Sequence, residues 1–180
     1  MGDTVTVGKS PIRVDAWDKA TGRTKFNSDV LSPSILYAKI VISKYAHAKI
    51  KRIDTSKASN APGVQAIITG EYTEGILTGT FVEDRPPLAT YKVRYFGEPV
   101  AIVIASSELE ATRAAEMIKI EYEPLQVINS PSDAIKQNAI LIHEGLGNYR
   151  RVKECFPTPN TNIANHVKIR KGDIEKGLEN

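Results

Sequence analysis

The stretch Gly97-Glu98-Pro99-Val100-Ala101-Ile102-Val103-Ile104-Ala105, followed by Ser106-Ser107-Glu108-Leu109-Glu110 and Ala111-Thr112-Arg113-Ala114-Ala115-Glu116-Met117-Ile118-Lys119-Ile120-Glu121-Tyr122, decides the fold. Gly97 and Pro99 open an unbroken apolar run of the kind found in a strand buried on both faces. Ser107 with Glu110 three residues on forms a capping box, so a helix begins there. Ala111, Ala114, Ala115 and Ile118 recur at helical spacing, and their small side chains let the helix lie close on a sheet. The period then changes to two. Ile118, Ile120 and Tyr122 point one way while Lys119, Glu121 and Glu123 point the other, which predicts a half-exposed strand.

Outward from this unit the signals are shorter. Leu36 to Ile42 and Val64 to Ile68 read as strands, the second entered through the Pro62-Gly63 turn. Lys49 to Ile53 alternates as a third strand, and Asp54-Thr55-Ser56 caps a short turn through Ala58. Residues 70–90 form a long loop with Gly75, Gly79 and Pro86-Pro87. Ser130-Pro131 opens a second short helix, serine as cap and proline at the first helical position. His166 to Ile169 alternates like a strand, and Asp173 caps a helix that carries Ile174 and Leu178 on one side. The fold class is therefore α+β: a mixed sheet with a strand–helix–strand unit over 99–122 and a second short helix. The expected organisation is an extended segment at 1–35, a core at 36–142, a linker at 143–165 and the truncated start of a further domain at 166–180.

Of the 180 residues, 41% are hydrophobic and 25% charged, the balance of a globular chain with a core. No apolar run approaches the ~20 residues of a membrane helix, so no membrane partner is expected. Met1 to Thr4 lacks a secretory pattern, and with Thr6 it matches an acylation pattern too short to weigh much. One cysteine, Cys155, allows no internal disulfide, and a cytoplasmic setting follows. The net charge of +3, with Arg150, Arg151, Lys153, Lys168, Arg170 and Lys171 interrupted by Glu154 and Asp173, does not form a nucleic-acid-binding stripe.

Candidate chemistry is scarce. His47, His143 and His166 are too scattered for a metal-ligand spacing. His47 is better explained by a backbone hydrogen bond, and His143 and Glu144, adjacent in sequence, are expected to point apart. No base can be nominated for Cys155. Gly145-Leu146-Gly147 lacks the third glycine and preceding strand of a dinucleotide fingerprint. These residues nominate no catalytic, cofactor-binding or metal-binding group, and a free-standing small enzyme is rejected.

Three stretches in order carry a resemblance. Arg13-Val14-Asp15-Ala16-Trp17-Asp18-Lys19-Ala20-Thr21-Gly22 through Phe26 resembles the opening R-x-D-A-x-x-K-x-T-G-x-x-x-Y/F of the molybdenum hydroxylases, the xanthine dehydrogenases and aldehyde oxidases. Ser43-Lys44-Tyr45-Ala46-His47-Ala48-Lys49-Ile50 resembles their S-P-H-A-H-A-R-I, with Lys44-Tyr45 in place of Pro-His. Pro87-Leu88-Ala89, Gly97-Glu98-Pro99-Val100-Ala101 and Tyr122-Glu123 resemble their P-L-A … G-Q/E-P-V-A … Y-E block. Pro62-Gly63-Val64 and Asp133-Ala134-Ile135 match in the same order.

The resemblance implies the α/β-hammerhead domain at the front of a large, molybdopterin-binding subunit. It implies a parent enzyme that hydroxylates purines, aldehydes or N-heterocycles with oxygen from water. Molybdopterin-molybdenum would lie in other domains of that subunit, and iron–sulfur clusters and FAD on partner subunits. Met1 directly before the opening motif matches prokaryotic enzymes with separate subunits. None of the family's catalytic or cofactor residues falls on this chain, which has no Gly-Gly pair.

One loop carries a functional expectation. Phe81 and Val82 sit in Thr78 to Pro87, just before the P-L-A block, which in the resembled enzymes borders the substrate funnel. Phe81 either tucks under its own loop or walls that funnel, with Glu83 or Arg85 at the rim. The competing reading of the whole chain is an autonomous interaction module whose basic C-terminal third meets an acidic partner.

Overall fold

The computed structural model describes residues 7–30 and 32–178. The acylation pattern at Met1 to Thr6 and the last two residues lie outside them. Two compact units divide the chain, Met1–Ile35 and Leu36–Asn180.

In the first unit a short helix, α1 (Ala16–Ala20), is preceded by Asp15 and followed by Gly22 at φ +70°. Arg13 and Lys19 both pair with the Asp15 carboxylate, Lys19 at 2.8 Å. Lys19 first, then Arg13, hold that carboxyl below its ordinary range. The Asp29 carboxylate accepts the Phe26 N–H at 2.9 Å and closes a 3₁₀ turn.

The described part of the second unit carries six strands: β1 (Tyr37–Ile42), β2 (Ala48–Asp54), β3 (Val64–Thr69), β4 (Lys92–Val93), β5 (Pro99–Ala105) and β6 (Lys119–Pro124). Its helices are α2 (Ser56–Ser59), α3 (Glu108–Met117), α4 (Pro131–Ala134) and α5 (Ile174–Leu178). The single mixed sheet expected from the sequence is instead two antiparallel three-stranded sheets, ordered β1-β5-β3 and β4-β2-β6. The reason is edge occupancy. β5 already pairs with β1 on one side and β3 on the other, so no edge remains beside it when α3 returns the chain. β6 pairs with β2 instead, Ile50 opposite Tyr122 and Ile53 opposite Ile120.

β5 therefore serves two cores. Val103 packs with Ala58 and Ala114, and with Val41, Ile67, Ala115 and Ile118 around them. Val100 packs with Ala48, Ala89 and Val93, flanked by Ile50, Ile53, Ile120 and Tyr122. The expectation of burial on both faces holds for Val100, Ala101, Val103 and Ala105, all fully buried. Ile102 and Ile104 are only half-buried. Both helices, α2 and α3, pack with the Val103 side of the strand, whereas Ile102 and Ile104 alternate to the other side.

α3 begins as its sequence predicts. Ser107 Oγ accepts the Glu110 N–H at 3.3 Å and donates to the Glu110 carboxylate at 2.9 Å, so the second half of the box closes side chain to side chain. Ala111 and Ala114 are buried under it. Ser130 caps α4 by accepting the Asp133 N–H at 3.1 Å. Asp173 accepts the Glu175 N–H at 3.1 Å at the start of α5, whose residues are exposed. His166 to Ile169 forms no strand and is exposed. Alternation alone does not make a strand when no neighbouring strand is there to complete the ladder.

Candidate functional site

The polar residues of the second unit concentrate where three segments meet: the 78–85 loop, β4 with the turn after it, and residues 141–164. The loop is a small hairpin. Thr78 and Arg85 exchange backbone hydrogen bonds at 2.8 and 3.1 Å, and the Thr78 hydroxyl donates to the Arg85 carbonyl at 2.9 Å. Gly79 has φ +156°, and a Cβ there would lie 1.9 Å from the Val82 carbonyl oxygen, so no other residue fits the turn as built. The hairpin is tied to the later segment by Glu83 N–H to the Arg150 carbonyl at 2.8 Å and Val152 N–H to the Phe81 carbonyl at 3.0 Å.

β4 and the turn after it supply two cations. Lys92 is almost wholly buried, and its ammonium donates to the Leu141 carbonyl at 3.0 Å and the Glu144 carboxylate at 2.6 Å. Arg94 donates from Nε to the Ile142 carbonyl at 3.1 Å and from one terminal nitrogen to the Lys92 carbonyl at 3.2 Å. Asn162 completes the clasp: its Oδ1 accepts the Ile142 N–H at 2.8 Å, and its Nδ2 donates to the Ile140 and Ala134 carbonyls at 2.9 and 3.1 Å. The carbonyls of Ala134, Ile140, Leu141 and Ile142, and the Ile142 amide, thus find partners that no helix or sheet provides.

The charges respond to this setting. Burial pushes the Glu98 carboxyl up despite its hydrogen bond from the Arg94 N–H. Desolvation, then the nearby Arg94, holds His143 below the usual imidazole range, although Asp84 draws it the other way. His143 Nε2 lies 3.8 Å from the Asp84 carboxylate, and its ring meets Tyr149 edge-on at 6.0 Å. Partial desolvation opposes the charge on Glu144, but the Lys92 ammonium outweighs it and lowers that carboxyl.

His47 Nδ1 lies 2.7 Å from the Gln126 carbonyl, the backbone bond its sequence setting suggested. His143 and Glu144 take different partners, Asp84 and Lys92, and so do not act as a pair. The Cys155 thiol is buried and donates to the Ala164 carbonyl at 3.5 Å, a contact that brings no base to it. Phe81 is 69% exposed, so it does not tuck under its own loop, while Val82 is half-buried beside Arg151. Sequence reasoning missed Asp84, Lys92, Arg94 and Asn162. Each acts through partners dozens of residues away, which no local period reveals. No group of three His, Cys, Asp or Glu side chains that could hold a metal ion occurs among the described residues, so they do not offer the thiolate set of an iron–sulfur cluster.

A family described as "Aldehyde oxidase and xanthine dehydrogenase, a/b hammerhead domain" matches residues 21–126. The chain belongs to this family, as its hammerhead domain. It is similar to the "Xanthine dehydrogenase molybdenum-binding subunit" of Escherichia coli, 38% identical over 146 residues, 74% of this chain and 19% of that protein. It is also similar to the "Xanthine dehydrogenase" of Dictyostelium discoideum, 37% identical over 169 residues, 93% of this chain and 11% of that protein. Among solved structures, the aldehyde oxidoreductase of Desulfovibrio gigas superposes with a TM-score of 0.66 at 35% identity, covering 74% of this chain and 16% of that one. This hammerhead domain therefore spans a fifth or less of the length of these relatives.

The alternative of an autonomous basic module gains no support. Arg150 faces Glu83 at 3.5 Å and Lys153 faces Glu154 at 3.7 Å, so two of its cations already have acidic neighbours.

Proposed function

We propose that this hammerhead domain is the front structural module of a molybdenum hydroxylase large subunit, giving scaffold to a reaction centred in other domains. The observation that supports it is the family match across both sheets, together with a site whose polar groups bind backbone carbonyls rather than converge on a reacting atom. In this reading 1–35 is an N-terminal extended segment, 36–142 the hammerhead core, 143–165 the connecting stretch and 166–180 the lead into the next domain. The parent enzyme is a cytoplasmic oxidoreductase that hydroxylates purines, aldehydes or N-heterocycles with water-derived oxygen. Its molybdopterin-molybdenum sits in the same subunit, with iron–sulfur and FAD on partner subunits.

Comparing the 180-residue chain with the full gene product tests this. The chain alone should be colourless and hold no stoichiometric molybdenum, iron or flavin, and the full assembly should hold all three. About one molybdenum per isolated chain would overturn the reading.

Phe81 and Val82 form one wall of the substrate approach in this proposal, which the exposed Phe81 ring supports. Phe81→Ala in the full enzyme should lower kcat/KM several-fold for bulky aromatic substrates and spare small aldehydes, since one aromatic contact is worth roughly 0.5–1.5 kcal/mol. Unchanged efficiency for both substrate sizes would remove the loop from the funnel.

A further inference from the structure

Two cavities of about 430 and 370 Å³ adjoin within the second unit, and Asp84 and Arg94 line both. The larger is walled by Ile142 and Leu146, the smaller by Tyr91 and Tyr149. The two charged groups between them have unused hydrogen-bonding capacity. The Asp84 carboxylate accepts no hydrogen bond among the described residues, since His143 Nε2 at 3.8 Å is beyond bonding distance. Arg94 directs Nε and one terminal nitrogen to carbonyls, and its other terminal nitrogen donates to no described residue. A free acceptor and a free donor thus line one cleft with apolar and aromatic walls, the make-up of a small-molecule site.

We propose that this cleft binds an uncharged carboxamide carried on a flat, apolar body, the amide N–H donating to Asp84 and the amide carbonyl accepting from Arg94. Charge decides for the amide. Glu74 also lines the smaller cavity but already accepts the Tyr91 hydroxyl. An anion meets Arg94 but is repelled by both carboxylates, and a cation leaves the free Arg94 N–H without an acceptor, whereas an amide answers both Asp84 and Arg94 and leaves neither desolvated without a partner. The walls take the flat body.

Benzamide, benzoate and benzamidine share one shape and differ in charge, so they form the test. Each is titrated into the isotopically labelled 180-residue chain at neutral pH and fixed ionic strength. The backbone amide resonances of Asp84, Arg94 and His143 give the readout. Benzamide should shift them saturably in the millimolar range, roughly ten-fold tighter than either ion. Asp84→Asn breaks no protein hydrogen bond and should weaken benzamide while benzoate gains several-fold. Ala164→Leu, at an exposed residue lining the larger cavity, should abolish all binding with the rest of the spectrum intact. N-acetylglutamine methylamide, the same group on an aliphatic stem, should bind more weakly than benzamide because it lacks the flat body, and tighter binding would overturn the proposal. No saturable shift with benzamide, an ion binding tighter than the amide, or an unchanged order in Asp84→Asn would each overturn the proposal. So would undiminished binding in Ala164→Leu.

Discussion

The β5–α3 unit and the clasp over residues 141–164 are held by opposite means. In the first, alanines and valines close on one another with no polar side chain between them, and the energy lies in area and fit. In the second, Lys92, Arg94 and Asn162 hold backbone that has no ladder of its own, and the energy lies in single hydrogen bonds whose loss strands a partner. The first kind of region tolerates exchange of like for like. The second has no substitute for each member, because its geometry is set by one side chain reaching several carbonyls.

The sharpest way to break this contrast is Asn162→Ala. It removes three hydrogen bonds and leaves the Ile142 N–H and the Ile140 and Ala134 carbonyls unpaired, so denaturant titration should show a loss of about 2–4 kcal/mol. A loss under about half a kilocalorie would mean that water replaces the amide freely and the clasp is not a stabilising device. Val103→Ala deletes two fully buried methyl groups between β5 and α3 and should cost about 2 kcal/mol. Val103→Ile should cost less than Asn162→Asp, since only the second replaces a donor with an acceptor in front of two carbonyls.

How much of this is legible in the sequence follows the same division. The strand–helix–strand order over 99–122, the Ser107 and Ser130 caps and the β1 and β3 strands all come from spacing within a few residues, and the sequence displays them. The split into two sheets does not show there, because it depends on which edges of β5 are already taken. The clasp is hidden for a related reason: Lys92 and Glu144 are 52 positions apart, and Asn162 sits in a Pro- and Asn-rich stretch where a polar residue looks ordinary. His143 and Glu144 stand out in the sequence as neighbours, yet the structure uses each with a distant partner instead.

Two titrations sharpen the comparison at its polar end. Glu98, raised by burial, stays protonated longer in the folded chain than in the unfolded one. Its contribution is therefore most favourable below the unfolded value of 4.5 and declines as pH rises through the folded value. Glu98→Gln keeps an acceptor for the Arg94 N–H and should raise stability at neutral pH by about 1 kcal/mol, with the gain vanishing in acid. His143 shifts the other way. Its lowered value means stability is full above the unfolded value of 6.5 and falls as pH drops below it, and His143→Gln should flatten that slope. A slope that persists in His143→Gln would assign the acid sensitivity to another group. The smallest effect belongs to Phe81→Ala, which should change stability by less than about 0.5 kcal/mol because the ring is mostly in solvent.

The position of β5 between β1 and β3 has a consequence for the order in which the chain is made. A ribosome delivers residues 37–42, 48–54 and 64–69 first, and their later partners, 99–105 at the centre of one sheet and 119–124 at the edge of the other, only afterwards. Until then three strands wait with open edges, which is when a nascent chain pairs with the wrong neighbour. A nascent chain arrested before Gly97 should remain protease-sensitive throughout, and one arrested once Pro124 has cleared the exit tunnel should acquire both sheets together.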